Sequence, residues 1–427
     1  MRKRFAIALG VAAAGALALG AQGAAAATIE VTNTSDSDVG SLRKAIARAN
    51  RLPGPDRIVI TATGTISLVS SLPDLSTGLA IDGPGAGRLT IDGHGLPRST
   101  FRVYPGVTVT LSNISIVGGG ASGINNSGKL TLSQSAVRDA HRVGIANLGD
   151  ATLTDSVVLH NGNGGIKNYE GTLTVLRSTV AHNTGVGLTQ SQAASAAEDA
   201  STTVRDSTVS GNRGPGYPIN GGGISVNRGT LTVSRSTLSG NSAFRGGAIA
   251  ASSGAQITVL GSTLSGNSAS GNQSWGGGIY NDGGNVTVAQ STLSGNSAYA
   301  GGGIFNLGTQ ITLKSTIVAD SVGGNCVGLF GGAAVSHGYN LADDASCNLA
   351  AASDQPNTEP LLKPLGSYGG PTETHALRPT SPAVDAGSAY NTPTDQRGLP
   401  RTVDYPGVPK AVGGDNSDIG AFELQLP

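Results

Sequence analysis

The groups able to do acid–base chemistry are few in this sequence, and three of them share one repeating position. Asp139, His160 and His182 each stand four residues after a recurring serine, where later repeats carry Gly or Ala. His141, Arg142, Lys167 and Glu170 lie on neighbouring turns. Stacked imidazoles beside an acid and an amine are the types that supply a general base and a charge stabiliser, the needs of uronate β-elimination. Exposed turns carry such residues without any chemistry, and that reading is preferred for Asp139, His160, His182 and Lys167. His94, within Asp92-Gly93-His94-Gly95, reads as a turn residue. Asp415, Asn416 and Asp418 offer oxygens of the kind calcium takes, as Asn/Asp turns do everywhere, so neither a metal nor another cofactor is expected.

A second set of side chains suits binding. Phe244, Trp275, Tyr280, Tyr299 and Phe305 gather late in a chain with few aromatics. Tyr280 and Phe305 each follow an inward Ile, so they are expected to point outward and stack, as a sugar platform or a stabilising row. Trp275 lies in an inserted loop, 268–276, and a second insertion covers 213–221; such loops are the preferred recognition sites. Cys326 and Cys347 are expected to pair.

The elements that must position these groups follow from a repeat. Ser-Thr-Leu-Ser-Gly-Asn begins at Ser236, Ser262 and Ser291, with variants at Ser112, Ser135, Ser156, Ser178, Ser207 and Ser315, spaced 21 to 29 residues apart. Aligned on that serine, an unbroken Thr column (Thr108, Thr131, Thr152, Thr174, Thr203, Thr232, Thr258, Thr287) runs between two aliphatic columns. Apolar-Thr-apolar is period-two alternation, with the aliphatics inward. A third apolar column runs Ile124, Ile145, Ile166, Leu188, Ile224, Ile249, Ile279, Ile304. Three short strands per repeat, stacking like on like, define an all-β right-handed parallel β-helix. An Asn column from Asn161 to Asn296 is expected to form an amide ladder, and Asp155, Arg177, Asp206 and Arg235 an alternating charge row.

Composition agrees. Among 427 residues there are 66 Gly, net charge is zero, and charged residues are 13%. Such a chain lacks the basic face nucleic acid requires, and its glycines show no collagen period. A basic start and an apolar run ending at Ala25-Ala26-Ala27 read as a signal peptide, residues 1–27, leading to a secreted or cell-surface protein. The expected organisation continues with an N-terminal cap containing a short helix (28–57), the β-helix (58–325), an irregular disulfide-closed segment (326–356) and a C-terminal capping module (357–427). No transmembrane segment is expected in the mature chain.

Three resemblances bear on this. Gly40-Ser41-Leu42-Arg43-Lys44-Ala45 resembles the N-terminal signature of exported β-helix proteins named for Cys-Ser-Leu-Arg-Glu-Ala (CSLREA), with Gly40 and Lys44 where the signature has Cys and Glu. Gly369-Gly370-Pro371-Thr372, Ser381 to Gly387, Asp395 to Arg401 and Asp418 to Glu423 resemble the choice-of-anchor Q module. The Gly-Gly-Gly-Ile and Ser-Gly-Asn-Ser repeats are similar to those of polymorphic outer-membrane proteins. The resemblances imply a surface or secreted, pectate-lyase-like solenoid in families whose roles are mostly unassigned. His94 also resembles, in its Gly-His-Gly, a feature of polygalacturonases, but no Arg-x-Lys clamp accompanies it. The function expected is a monomeric, non-catalytic, adhesin-like scaffold contacting glycan or surface protein. The alternative is a lyase or hydrolase of acidic polysaccharide.

Overall fold

The computed structural model describes residues 26–191, 200–214, 219–252, 254–308, 310–329 and 334–426. The signal-peptide reading falls almost wholly outside them, as does 215–218 of one inserted loop. A full repeat contributes one strand to each of three parallel sheets, which number thirteen, twelve and ten strands among the described residues because the end coils are incomplete. One coil runs Lys129–Ser133, Ala136–Arg138, Val143–Asn147, and the next stacks on it residue for residue, Leu130 on Ala151, Val137 on Val158, Ile145 on Ile166. The Ile124-to-Ile304 column is fully interior. Burying one such side chain contributes about 1.5–3 kcal/mol, and the columns of all three sheets merge into one core.

The recurring serine has a structural task. Ser156 donates its hydroxyl to the Thr154 carbonyl (2.8 Å) and accepts the Ser135 N–H (3.2 Å); Ser178 repeats this one coil later. The residue before each serine takes a left-handed backbone, φ 50° at Asp155, 45° at Arg177, 51° at Asp206 and 46° at Arg235. The charge row therefore occupies a hinge. It forms two forked pairs, Arg177 with Asp155 (2.8 and 2.9 Å) and Arg235 with Asp206 (2.7 and 2.8 Å).

Two ends of the repeat differ from the expected alignment. Ser112 pairs with Ser133 rather than Ser135, a two-residue slip that left every in/out assignment intact because the strand period is two. At the other end Thr316, not Ser315, is the serine equivalent, since Ser315 occupies the left-handed hinge at φ 42°. That one-residue slip matters. Val318 continues the core column, while Ile317 belongs to a second cluster beneath the C-terminal module.

The solenoid also begins and ends elsewhere than expected. Thr28–Val31 already pairs with Asp56–Ile60. Helix Leu42–Ala49, N-capped by Ser41, buries Leu42, Ala45, Ile46 and Ala49 in the core. At the far end, the described parts of 326–342 are not irregular: Cys326–Leu329, Ala334–Ser336 and Leu341–Ala342 add one strand to each sheet. Beyond them the Asp343, Asp344, Ser346 and Asp354 side chains accept N–H groups of Asp320, Asn325, Cys326 and Asn340. Cys326 and Cys347 are disulfide-bonded across this closure.

Residues from about 360 onward fold back along the flank of the solenoid. Gln396 accepts from Thr263 (2.6 Å) and donates to Thr237 (3.0 Å), while Thr292 accepts the Ala421 N–H (3.0 Å). Thr237, Thr263 and Thr292 are one outward column of the twelve-stranded sheet, buried by this contact. Their hydroxyls bind the module to the side of the later coils.

Candidate functional site

The outer face of the ten-stranded sheet carries, coil by coil, Arg102, Asn125, Ala146, Lys167, Thr189 and Ser225. Alternation places these side chains away from the core, so the strand pattern that buries Ile145 and Ile166 also builds this face. Two cavities open along it. One, about 420 Å³, is lined by Asp74, Arg98, Arg102 and Asn125 among others. The second, about 340 Å³, is lined by Lys167, Tyr169, Thr189, Asn220, Ser225 and Asn227 among others. Lys167 is half-buried, and burial together with the nearby Arg142 charge pulls its ammonium pKa down. The described lining of this second cavity contains hydroxyls, amides and one cation, but no carboxylate.

The face is closed at its C-terminal side by aromatic residues. Tyr280 and Phe305 do stack (centroids 6.0 Å), but they are buried rather than exposed, because Trp275 lies over them, parallel to Phe305 at 4.9 Å. Arg245 sits 4.0 Å from the Trp275 ring centroid and donates to the Tyr280 hydroxyl (3.2 Å). Burial and the Asp282 charge raise the Tyr280 pKa. These stacked rings spend their surface on one another, which removes Tyr280 and Phe305 as a sugar platform. Phe244, with Arg245 5.1 Å over its ring, flanks the same block. Tyr299 is 74% exposed and separate from the stack.

The acid–histidine column lies on the neighbouring edge, at the turn leaving the twelve-stranded sheet. Asp139, His160 and His182 all have left-handed backbones (φ 56°, 55°, 52°), and Gly211, Gly240 and Gly266 continue the column. The preference for Gly in later coils is thus conformational. The His160 and His182 ring centroids are 5.9 Å apart, and Asp139 is paired with Arg138 at 2.7 Å. Lys167 belongs to the adjoining sheet face, not to this column.

Sequence reasoning missed who joins Asp139. A cavity of about 340 Å³ is lined by His94, Gly118, Gly119, Gly120, Asp139 and His141. His94 comes from two coils earlier, and its Nδ1 lies 2.8 Å from Asp92 Oδ1. The only available signal was the Gly118-Gly119-Gly120 run, whose bare coil separates the two rows.

In the C-terminal module Asp395, Arg397, Arg401, Asp418 and Glu423 form a buried ionic group. Arg397 bonds Asp395 at 2.7 Å, and Arg401 lies 3.7 Å from Glu423. Burial raises the Glu423 pKa to about 7 and the Asp418 pKa well above its usual range. Asp418 accepts the Asp385 and Leu424 N–H groups, and Asp415 accepts those of Ala389 and Ser417. These carboxylates serve the backbone of the module.

No protein-family model and no curated protein matches the chain. Among solved structures, the crystal structure of pectate lyase Pel9A is similar, with TM-score 0.50 and 13% identity over 94% of this chain and 97% of that one. At that identity the likeness shows the fold: a parallel β-helix of the pectate-lyase type.

Proposed function

We propose that this chain is an exported, non-catalytic β-helix that holds an acidic glycan along the outer face of its ten-stranded sheet. The observation that carries this reading is the Lys167 cavity, where a half-buried ammonium stands among hydroxyls and amides without a carboxylate in the described lining. One cation and several neutral donors can hold a uronate carboxylate. Hydrolysis needs an acid and a base facing the same bond, and that pair is missing from this lining. Arg102, three coils away, offers a second cation on the same axis. The disulfide, the Ala25-Ala26-Ala27 site and the CSLREA-like and choice-of-anchor Q-like segments support export and placement at a surface. A lyase of acidic polysaccharide is the second reading, favoured by the lowered Lys167 pKa, since lowering it moves the amine toward general-base chemistry.

Calorimetric titration of the mature protein with polygalacturonate oligomers tests both. Binding weakened roughly 10-fold or more by Lys167→Ala, a loss of about 1.4 kcal/mol or more, without release of unsaturated product, is the expected result. Turnover that disappears in Lys167→Ala establishes the lyase instead, and unchanged binding in that variant removes the groove altogether.

A further inference from the structure

Asp56 carries a carboxylate into the first coil of the core. It opens strand Asp56–Ile60, and alternation turns it inward with Ile58 and Ile60. Only 3% of the residue is exposed. Its Oδ1 accepts the Ala27 backbone N–H (2.9 Å), while its Oδ2 is buried without a hydrogen-bond partner among the described residues. We propose that the export leader is cut between Ala26 and Ala27, and that the α-ammonium so created on Ala27 is the counter-charge of Asp56. This rests on the export part of the reading above and goes beyond it.

A buried carboxylate is costly unless it is paired and both its oxygens are satisfied. Among the described residues no side-chain cation lies within ion-pair distance of Asp56. Arg57 faces out and bonds Asp82 (2.8 Å), and Lys44 and Arg48 of helix Leu42–Ala49 line a cavity with Glu30. As a peptide nitrogen Ala27 offers one hydrogen, enough for Oδ1 alone. As an α-ammonium the same nitrogen has three donors and a full positive charge, like a lysine head group. It can then serve both oxygens from the place it already holds, through charge-assisted bonds.

The sequence leaves the position of the cut open. The run Ala24-Ala25-Ala26-Ala27 meets the small-x-small requirement for cleavage before Ala27 or before Thr28. The sheet distinguishes the two. Arg57 donates its N–H to the Ala27 carbonyl (2.8 Å) and Thr28 pairs with Arg57, so the ladder takes hold of the chain at Ala27. Ala26 is exposed and makes no hydrogen bond among the described residues. Successive N–H groups of a strand face opposite ways, so that of Ala27 turns to Asp56 and that of Thr28 to the open edge. A cut before Thr28 would remove the donor that Asp56 has. A cut before Ala27 keeps that donor and gives it the charge. In that step a signal peptidase directs water to the Ala26 carbonyl carbon, and the C–N bond breaks. Ala26 leaves as a carboxylate, and both water protons end on the Ala27 nitrogen.

The full chain, expressed with its own leader in an exporting bacterial host, tests both halves. N-terminal sequencing and intact mass of the exported protein should give a chain beginning Ala27-Thr28-Ile29. A chain beginning at Thr28 overturns the proposal and leaves export standing; an uncut leader overturns export with it. The ion pair is read from the α-amine, by the pH dependence of its labelling with trace acetic anhydride, measured on the N-terminal peptide by mass spectrometry. Beside a buried carboxylate it should hold its proton at least about one pH unit above the ordinary 7.7–8.0, so that labelling at pH 8 slows several-fold. Asp56→Asn keeps an acceptor but removes the charge, and should restore the ordinary titration. A chain made to start at Ala26, with its ammonium one residue farther out, should do the same. Glu30→Gln, on an exposed side chain of the same strand, should change nothing. An ordinary titration in the parent, or one that Asp56→Asn does not move, overturns the pair. Far-UV circular dichroism confirms that each variant keeps its fold. Neither readout involves Lys167, so failure of the glycan groove and failure of this site are told apart.

Discussion

Replacing Asn212 by Ala should unfold the middle of this solenoid at a cost set by four hydrogen bonds. Asn212 is fully buried. Its Oδ1 accepts the Asn183 backbone N–H (3.1 Å) and Nδ2 (2.9 Å), and its own Nδ2 donates to the Val180 carbonyl (3.0 Å) and Asn241 Oδ1 (2.9 Å). Truncation leaves the Asn183 N–H and the Val180 carbonyl without these partners. Asn183 Nδ2 keeps the Val158 carbonyl and Asn241 Oδ1 keeps the Asn212 N–H, so those two are only half-lost. At about 1–3 kcal/mol per orphaned buried group, the two fully orphaned groups cost about 2–6 kcal/mol. Thr203→Ala, on the outward Thr column, should stay within about 0.5 kcal/mol. Urea unfolding followed by circular dichroism gives both values, and hydrogen exchange locates the damage in the coils around Val180 and Asn241, because repeats couple to their nearest neighbours. A loss below about 1 kcal/mol for Asn212→Ala would refute the ladder as a stabilising element.

The remaining expectations are smaller. Burial raises Glu423 to about 7, so its protonated form suits the folded state; that stability is complete below the ordinary 4.5 and is lost as pH rises to 7, about 3 kcal/mol. His375, lowered by burial, acts in the opposite direction below its ordinary 6.5. The test is therefore the pH dependence of the difference in melting temperature between parent and Glu423→Gln. It should move in the variant's favour as pH rises through about 7. A pH-independent cost of the amide adds to this, because both Glu423 oxygens accept backbone N–H groups, of Val403 and Asp418. The Arg177–Asp155 pair is about half exposed on both sides. A double-mutant cycle to Ala should give a coupling of about 0–1 kcal/mol, and zero would make the forked geometry energetically idle.

How much of this was legible depends on how far apart the partners lie along the chain. The Ile145 column and the Asn161-to-Asn296 ladder repeat one local pattern, so the sequence displays each rung many times. The alignment failed where repetition was weakest, at Ser112 and Ser315, and a change of parity at Ser315 misplaced Ile317. The disulfide was readable because two cysteines allow one pairing. The flank docking was not readable: Gln396 meets Thr237 across 159 residues, and nothing in the Thr column distinguishes buried Thr237 from half-buried Thr208. The burial of Tyr280 and Phe305 failed for a similar reason. Alternation sends them outward correctly, but a loop carrying Trp275 returns to cover them.

That distinction also explains where chemistry can sit on such a fold. A stacked coil repeats its neighbours, so a regular face offers rows of one residue type and little convergence of different groups. Convergence arises only where the stack is interrupted. At 118–120 an interruption by glycine leaves a gap, and His94 lines one cavity with Asp139 and His141 there. Around Lys167 the interruption is in the turn geometry, where residues near Asn163, Gly185 and Asn220 form a wall over three coils. Later coils show the opposite case: Gly211, Gly240 and Gly266 replace the Asp139, His160 and His182 positions, their outward threonines are covered by the module, and their aromatic rings stack on one another. The early coils accept the strain of left-handed Asp139, His160 and His182, about 1–2 kcal/mol per residue for a side chain with a Cβ, where glycine would remove it. Left-handed residues with side chains recur in later coils, at Arg235, Gln290, Ser315 and Asp320, so what sets the early half apart is the titratable chemistry carried at Asp139, His160 and His182 rather than the strain.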